Sequence, residues 1–385
     1  MTHRRSAGVF LAGCIVFVNL YAVQALLPTL AESFNVPVAQ TGWTITAPLL
    51  AVALLAPFVG SISDNLGRKR LIVTAMALLP LPTLLVALST SLPAMILWRF
   101  AQGLTMPFIF AVTVAYVGEE TEGPDTIRLA GTYTVGTIFG GFAGRFLAGH
   151  ITAVADWRTS FVVFAALSAA FAVAVAWLLP KERRFRPISG LRASLQSVAD
   201  HLRNRRLIAT FAVGFSMLFC IIAVFTYVNF YLAAPPFGLG PAALGSVFVV
   251  YLLGMVMTPV ATRLAVRIGR RATLGCATVV CVAALLLTLL PSLVAVIAGL
   301  AFIAGALFVQ MALAIGFIGV AARTAKSTAV GLYVACYYVG GALGGILPAG
   351  LWRLAGWPGC VALAVFVQLV VAAIATVSWR EAPRR

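Results

Sequence analysis

The chain has 385 residues, 62% hydrophobic and only 10% charged, with a formal net charge of +17. Soluble domains run near 45–50% apolar and about 25% charged, so a water-soluble fold would lack the polar surface it needs. The charge does not mark a nucleic-acid binder, because 23 of the 27 basic residues, all but Arg99, Arg145, Arg158 and Arg353, fall in the N-terminal tail, in or at the edges of the even-numbered loops, and in the C-terminal tail of the helical pattern set out below; this is the positive-inside asymmetry of a membrane protein with both termini cytoplasmic.

Apolar runs of about 20 residues, the length a bilayer core demands, predict spans at 8-30, 43-63, 71-90, 93-117, 127-150 and 158-180, and again at 206-233, 241-265, 271-291, 293-318, 328-352 and 357-379. They are too long and too continuously apolar for barrel strands. Arg4-Arg5 followed by Leu11-Ala12-Gly13-Cys14 is similar to a twin-arginine or lipoprotein signal, but the apolar run continues through Val18 and reads as an uncleaved span. Span one carries Asn19, Tyr21 and Gln24 as cavity candidates. Between spans two and three stands Gly60-Ser-Ile-Ser-Asp64-Asn65-Leu66-Gly67-Arg68-Lys69-Arg70, in which Gly67 suits a positive φ, Gly60 a close helix approach, and Asp64 a helix N-terminus near Ser327 and Thr328 or an arginine. Span four contains Arg99-Phe-Ala-Gln102-Gly103, its arginine ~9 Å inside the span at 1.5 Å per residue. Glycines 136, 140, 141, 144 and 149 line span five and predict a tight interdomain seam. Arg145 interrupts them, with Glu32 as its expected partner or the bilayer surface as its anchor.

The polar stretch 181-205, which surrounds an amphipathic run from Leu191 to Leu202, separates halves 1-180 and 206-385. The halves repeat: Gly131, Tyr133, Gly140, Gly141, Gly144 and Trp157 recur 200 positions on as Gly331, Tyr333, Gly340, Gly341, Gly344 and Trp357, and Pro57, Gly67, Arg68 and Lys69 answer Pro259, Gly269, Arg270 and Arg271. Val266 stands where Asp64 does in the first half. Tyr133, Tyr227, Asn229, Gln310, Tyr333 and Tyr337 complete the cavity candidates, a mixed polar and aromatic set that suits a neutral or anionic compound better than a cation.

The six cysteines are scattered through apolar spans and the three histidines are isolated, so neither a disulfide framework nor a metal site is expected. No P-loop occurs, no Asp or Glu lies well inside a span, and no clustered His, Asp, Glu or Cys constellation suggests an enzyme. No cofactor is expected.

The Gly60–Arg70 segment resembles the cytoplasmic signature G-x-x-x-D-R/K-x-G-R-R/K of the major facilitator superfamily, with Asn65 in place of its usual basic residue. Arg99 to Gly103 resembles the family's R-x-x-Q-G motif. Span five is similar to that of drug/proton antiporters but lacks their Gly-Pro. Two parallel six-helix halves related by an axis along the membrane normal belong to the same family. The resemblance implies an all-α integral membrane protein of twelve transmembrane helices in two pseudo-symmetric halves, a secondary transporter working by alternating access at a bacterial inner membrane. It further implies proton-coupled export of a small organic compound by a monomer in the lipid bilayer. The signature Gly60, Asp64, Gly67, Arg68 and Lys69 would form a gate, and Arg99, Gln102 and Arg145 would meet substrate or tune coupling. The alternatives are an importer or facilitator of a neutral or anionic solute and, from another class, a non-transporting membrane sensor, which would need an appended signalling domain.

Overall fold

The computed structural model describes residues 2–182, 200–322 and 326–379. The amphipathic run expected in the linker, the side chain of Asp64 and that of Ser327 lie outside what is described. Helices account for the secondary structure of the described residues, without a strand. Eleven are long and apolar enough to cross a membrane. The remaining expected span is the 31-residue helix Pro124–Val154, in which six glycines, several threonines and two arginines dilute the apolar content.

Prolines and glycines punctuate the helices where backbone chemistry requires it. Gly67 and Gly269 share φ 85° at the matched turns that enter Arg68–Leu78 and Arg270–Leu287, a conformation L-residues with a Cβ adopt only under strain. Gly356, at φ 60°, kinks the segment Pro348–Ser378 just before Trp357. Side-chain caps begin span four, where Ser91 accepts from the Ala94 amide, and span six, where Asp156 accepts from the Thr159 amide at 2.6 Å. They satisfy amides that a helix start leaves without partners.

Two compact units result. One takes spans one to six together with Gly238–Val249, the first turns of span eight; the other takes span seven and the chain from Val250 onward. In each unit the first helix of the repeat, span one or span seven, is the most buried. Small residues let a neighbour reach it. Gly136, Gly140 and Gly144 lie against the backbone of Phe10, Cys14 and Val18, and Gly340 and Gly344 lie against that of Phe215 and Phe219; a Cβ at any of these would collide with a carbonyl. Lipid offers no hydrophobic drive between helices, so close backbone approach supplies the attraction. The glycine stripe expected at an interdomain seam is therefore chiefly a seam inside its own half, because span one is the helix its stripe faces. Gly149 is the exception, meeting Pro241 and Gly245. Gly60, expected at a close helix approach, has no atom within 4 Å of the position a Cβ would take.

Candidate functional site

Span one does not cross as a single helix. It runs as Thr2–Tyr21, a 3₁₀ segment Ala22–Leu26, and Leu27–Ser33. The cause is local. Pro28 has no N–H to give the carbonyl of Gln24, and its ring crowds that carbonyl, so the preceding turn tightens. Pro48 does the same to the carbonyl of Thr44 in span two without breaking the helix.

Arg99 gathers the freed Thr44 carbonyl and two carbonyls of span one just ahead of the break. Its side chain is fully buried. Nε donates to Thr44 O at 3.0 Å, one terminal nitrogen to Asn19 O and to Gln102 Oε1, each at 2.7 Å, and the other to Leu20 O at 2.6 Å. Gly103 lets span four press on Pro48 to reach them, since a Cβ there would collide with the Pro48 backbone. The network continues through neutral groups: Gln102 Nε2 donates to Thr83 Oγ1 at 2.7 Å, and Asn19 Nδ2 donates to Ser168 Oγ at 2.9 Å. Spans one, two, three, four and six thus share one buried polar core. A guanidinium inside a membrane must find such acceptors, and a planar fork can serve several at once.

Arg145 approaches the same break from span five. It too is fully buried. Where Glu32 was expected, Nε donates to Gln24 Oε1 at 2.8 Å and a terminal nitrogen to Gly141 O at 2.6 Å. The guanidinium carbon lies 4.2 Å from the centre of the Tyr21 ring and 4.7 Å from that of Phe248, a desolvated cation–π arrangement.

A third cluster surrounds the loop between spans two and three. Arg68 makes a bidentate ion pair with Glu119 at the end of span four, at 3.0 and 2.6 Å, and also donates to Ser63 Oγ. Glu182, just past span six, accepts from the Lys69 amide at 3.3 Å, and one of its carboxylate oxygens occupies the space beside Gly67 that a Cβ would need. The N-terminus of Arg68–Leu78 therefore receives a carboxylate, as a helix dipole favours. Glu119 and Glu182 were not foreseen: they lie 51 and 113 residues from their partners, and spacing carries no signal over that distance.

The remaining cavity candidates make contacts of their own within their units. Tyr227 donates to Gly345 O at 3.1 Å and Asn229 to Phe225 O. Gln310 donates to Gln368 Oε1 at 2.8 Å, within a buried neutral network that includes Ser216 and Cys220. Tyr133 reaches Phe110 O at 3.4 Å, while the buried hydroxyl of Tyr333 has no hydrogen-bond partner among the described residues. Tyr337 stacks on Tyr333. Asn19, Gln102 and Arg99 are joined in one network, and Tyr21, Gln24 and Arg145 in another.

This fold and this pattern of motifs define a membrane transporter. Residues 9–257 match the model of the Major Facilitator Superfamily, more than half of the chain, and the chain belongs to that family. The inner membrane transport protein YnfM of Escherichia coli K12 is 31% identical over 96% of this chain and 89% of its own length. An uncharacterized transporter of Buchnera aphidicola from Schizaphis graminum is 26% identical over 94% and 88%. Among solved structures, a bacterial homologue of the human lysosomal transporter Spinster, inward-facing and unoccupied, superposes with a TM-score of 0.81 at 13% identity, over 100% of this chain and 99% of that one. The likeness is one of fold.

Proposed function

We propose that this transporter works by alternating access and exports a small organic compound in exchange for protons across a bacterial inner membrane, with both termini in the cytoplasm. The observation that carries the reading is the discontinuous span one, whose break is held by two buried guanidiniums from spans four and five. Interrupted helices accompany substrate sites in secondary transporters, and intramembrane ionisable groups are retained for function. Exchange with protons rests on the resemblance of the chain to the superfamily and of span five to that of drug/proton antiporters, whose Gly-Pro it lacks, and the orientation on the basic loops. In this reading Asp64 is the latch of the gate, Arg99 and Gln102 keep the broken helix in register, and Arg145 is the charged group nearest the break that a substrate's negative end would meet. A second reading, an importer or facilitator of a neutral or anionic solute, is favoured by one observation: no Asp or Glu lies well inside a span to relay protons. Inverted vesicles loaded against a panel of neutral and anionic compounds, with and without an imposed pH gradient, separate the two. Accumulation that collapses with the gradient supports exchange with protons, and flux indifferent to it supports the second reading.

A further inference from the structure

Two membrane-length helices are interrupted by 3₁₀ segments among the described residues, span one at Ala22–Leu26 and span eight at Phe248–Leu252. Arg145 touches both. Its Nε holds Gln24, in the middle of the first segment, and its guanidinium face lies over Tyr21, the last α-helical residue before it. The guanidinium also lies over Phe248, the first residue of the second segment. The backbone repeats the association: a Cβ at Gly245 would stand 2.8 Å from the main-chain oxygen of Arg145 and 3.2 Å from Cα of Gly149, so the first turns of span eight sit on span five at the level of this arginine. Gly141 packs directly against the group, since a Cβ there would lie in contact with its terminal nitrogen, at 3.4 Å, and with the Tyr21 ring, at 3.7 Å.

We propose that Arg145 is a positioning residue that ties the two interruptions together, so that loosening one loosens the other. The physical basis is the shape of the group. A guanidinium is flat and donates in its plane while it also packs on rings, so one side chain donates to Gln24 and Gly141 and at the same time lies over Tyr21 and Phe248. A 3₁₀ segment has poorer hydrogen bonds than an α-helix, and its geometry leans more on such outside contacts. When Gln24 is lost the fork swings, and the face over Phe248 swings with it.

The inference needs no substrate and stands apart from the direction of transport. Hydrogen–deuterium exchange of the protein in lipid nanodiscs tests it, read at amides 22–26 and 248–252, with span twelve as the control for folding. Arg145→Gln is expected to raise exchange several-fold in both segments, and Arg145→Lys, which keeps the charge over the rings, to fall between it and the parent. Gln24→Ala is expected to raise exchange at 248–252, which it does not touch, and Phe248→Leu to raise it at 22–26; these two milder variants decide the matter if Arg145→Gln fails to fold. A rise confined to the mutated segment, or parental exchange at 248–252 in Gln24→Ala, overturns the proposal.

Discussion

Span one and span seven occupy the same place in their repeats, yet one is broken and the other runs as a continuous helix from Arg205 to Ala233. The first half has Pro28 where the second has Asn229, and it has Arg99 and Arg145 where the second has Leu300 and Gly345. Span four, Leu92–Glu120, and span ten, Leu293–Ala321, are equal in length and align without gaps, so Arg99 and Leu300 are true counterparts. At the broken helix Arg99 satisfies main-chain carbonyls and Arg145 holds the side chain of Gln24. The intact helix receives a neutral network, Gln310 to Gln368, in their place. Between these two matched helices, buried charge follows backbone discontinuity.

The largest effect expected from this comparison is at Arg99. Arg99→Leu, which copies the second half, leaves the main-chain acceptors in spans one and two without their donor, at roughly 1.5–3 kcal/mol for each hydrogen bond to a charged group; the expected loss is most of the folded protein, read as membrane abundance and as the melting temperature in detergent. The converse, Leu300→Arg, buries a cation beside a helix with no spare carbonyls and should be as harmful. Parental melting of Arg99→Leu would end the idea that the arginine repairs the break. Arg99→Lys keeps the charge but not the fork, and should lie near Arg99→Leu rather than near the parent.

The glycine seams test where the halves agree. Gly140→Ala and Gly340→Ala each drive a Cβ into a carbonyl, of Cys14 and of Phe215, and should lower stability by a similar amount of about 1–3 kcal/mol. Gly131→Ala and Gly331→Ala, where nothing lies within 4 Å, should leave the melting temperature unchanged or raise it slightly. Unequal costs at 140 and 340 would show that the seams are not equivalent.

Asp64 and Val266 test where the signature departs from its copy. Asp64→Asn is expected to lower transport several-fold while membrane abundance stays near the parental level, and Val266→Ala to change neither. Normal turnover in Asp64→Asn would reduce the motif to a packing turn.

The smallest effect concerns the entries to spans six and twelve. The amide of Thr159 holds the Asp156 carboxyl below its ordinary pKa, whereas the matched position in the second half is Gly356, which has no carboxylate to titrate. A carboxyl depressed in the folded state stabilises above its unfolded pKa and stops doing so as pH falls through the folded value. Asp156→Asn should therefore flatten a slight loss of melting temperature on acidification at and below the ordinary carboxylate range, with little change at neutral pH.

Much of this was legible in the chain itself. Twelve apolar runs, the repeat of glycines and tryptophans, and the turn glycines Gly67 and Gly269 could all be read because hydrophobicity and positive φ are properties of single residues and short windows. Arg99 and Gln102 were found for the same reason: a cation inside an apolar run is visible without knowing its neighbours. Pro48 carried a local signal that points to the freed Thr44 carbonyl four residues earlier, and reading it would have placed one acceptor of Arg99 in advance.

The sequence by itself determined the membrane, the two halves, the family and the presence of two buried cations, because a bilayer punishes polarity residue by residue. Which carbonyl or ring each cation meets was decided only by the tertiary structure. Gln24, where Glu32 is the partner the sequence suggests, holds Arg145, and Glu119 holds Arg68, because these partners come from other helices. Their meeting depends on how closely glycine-lined backbones approach, a distance no window of sequence contains.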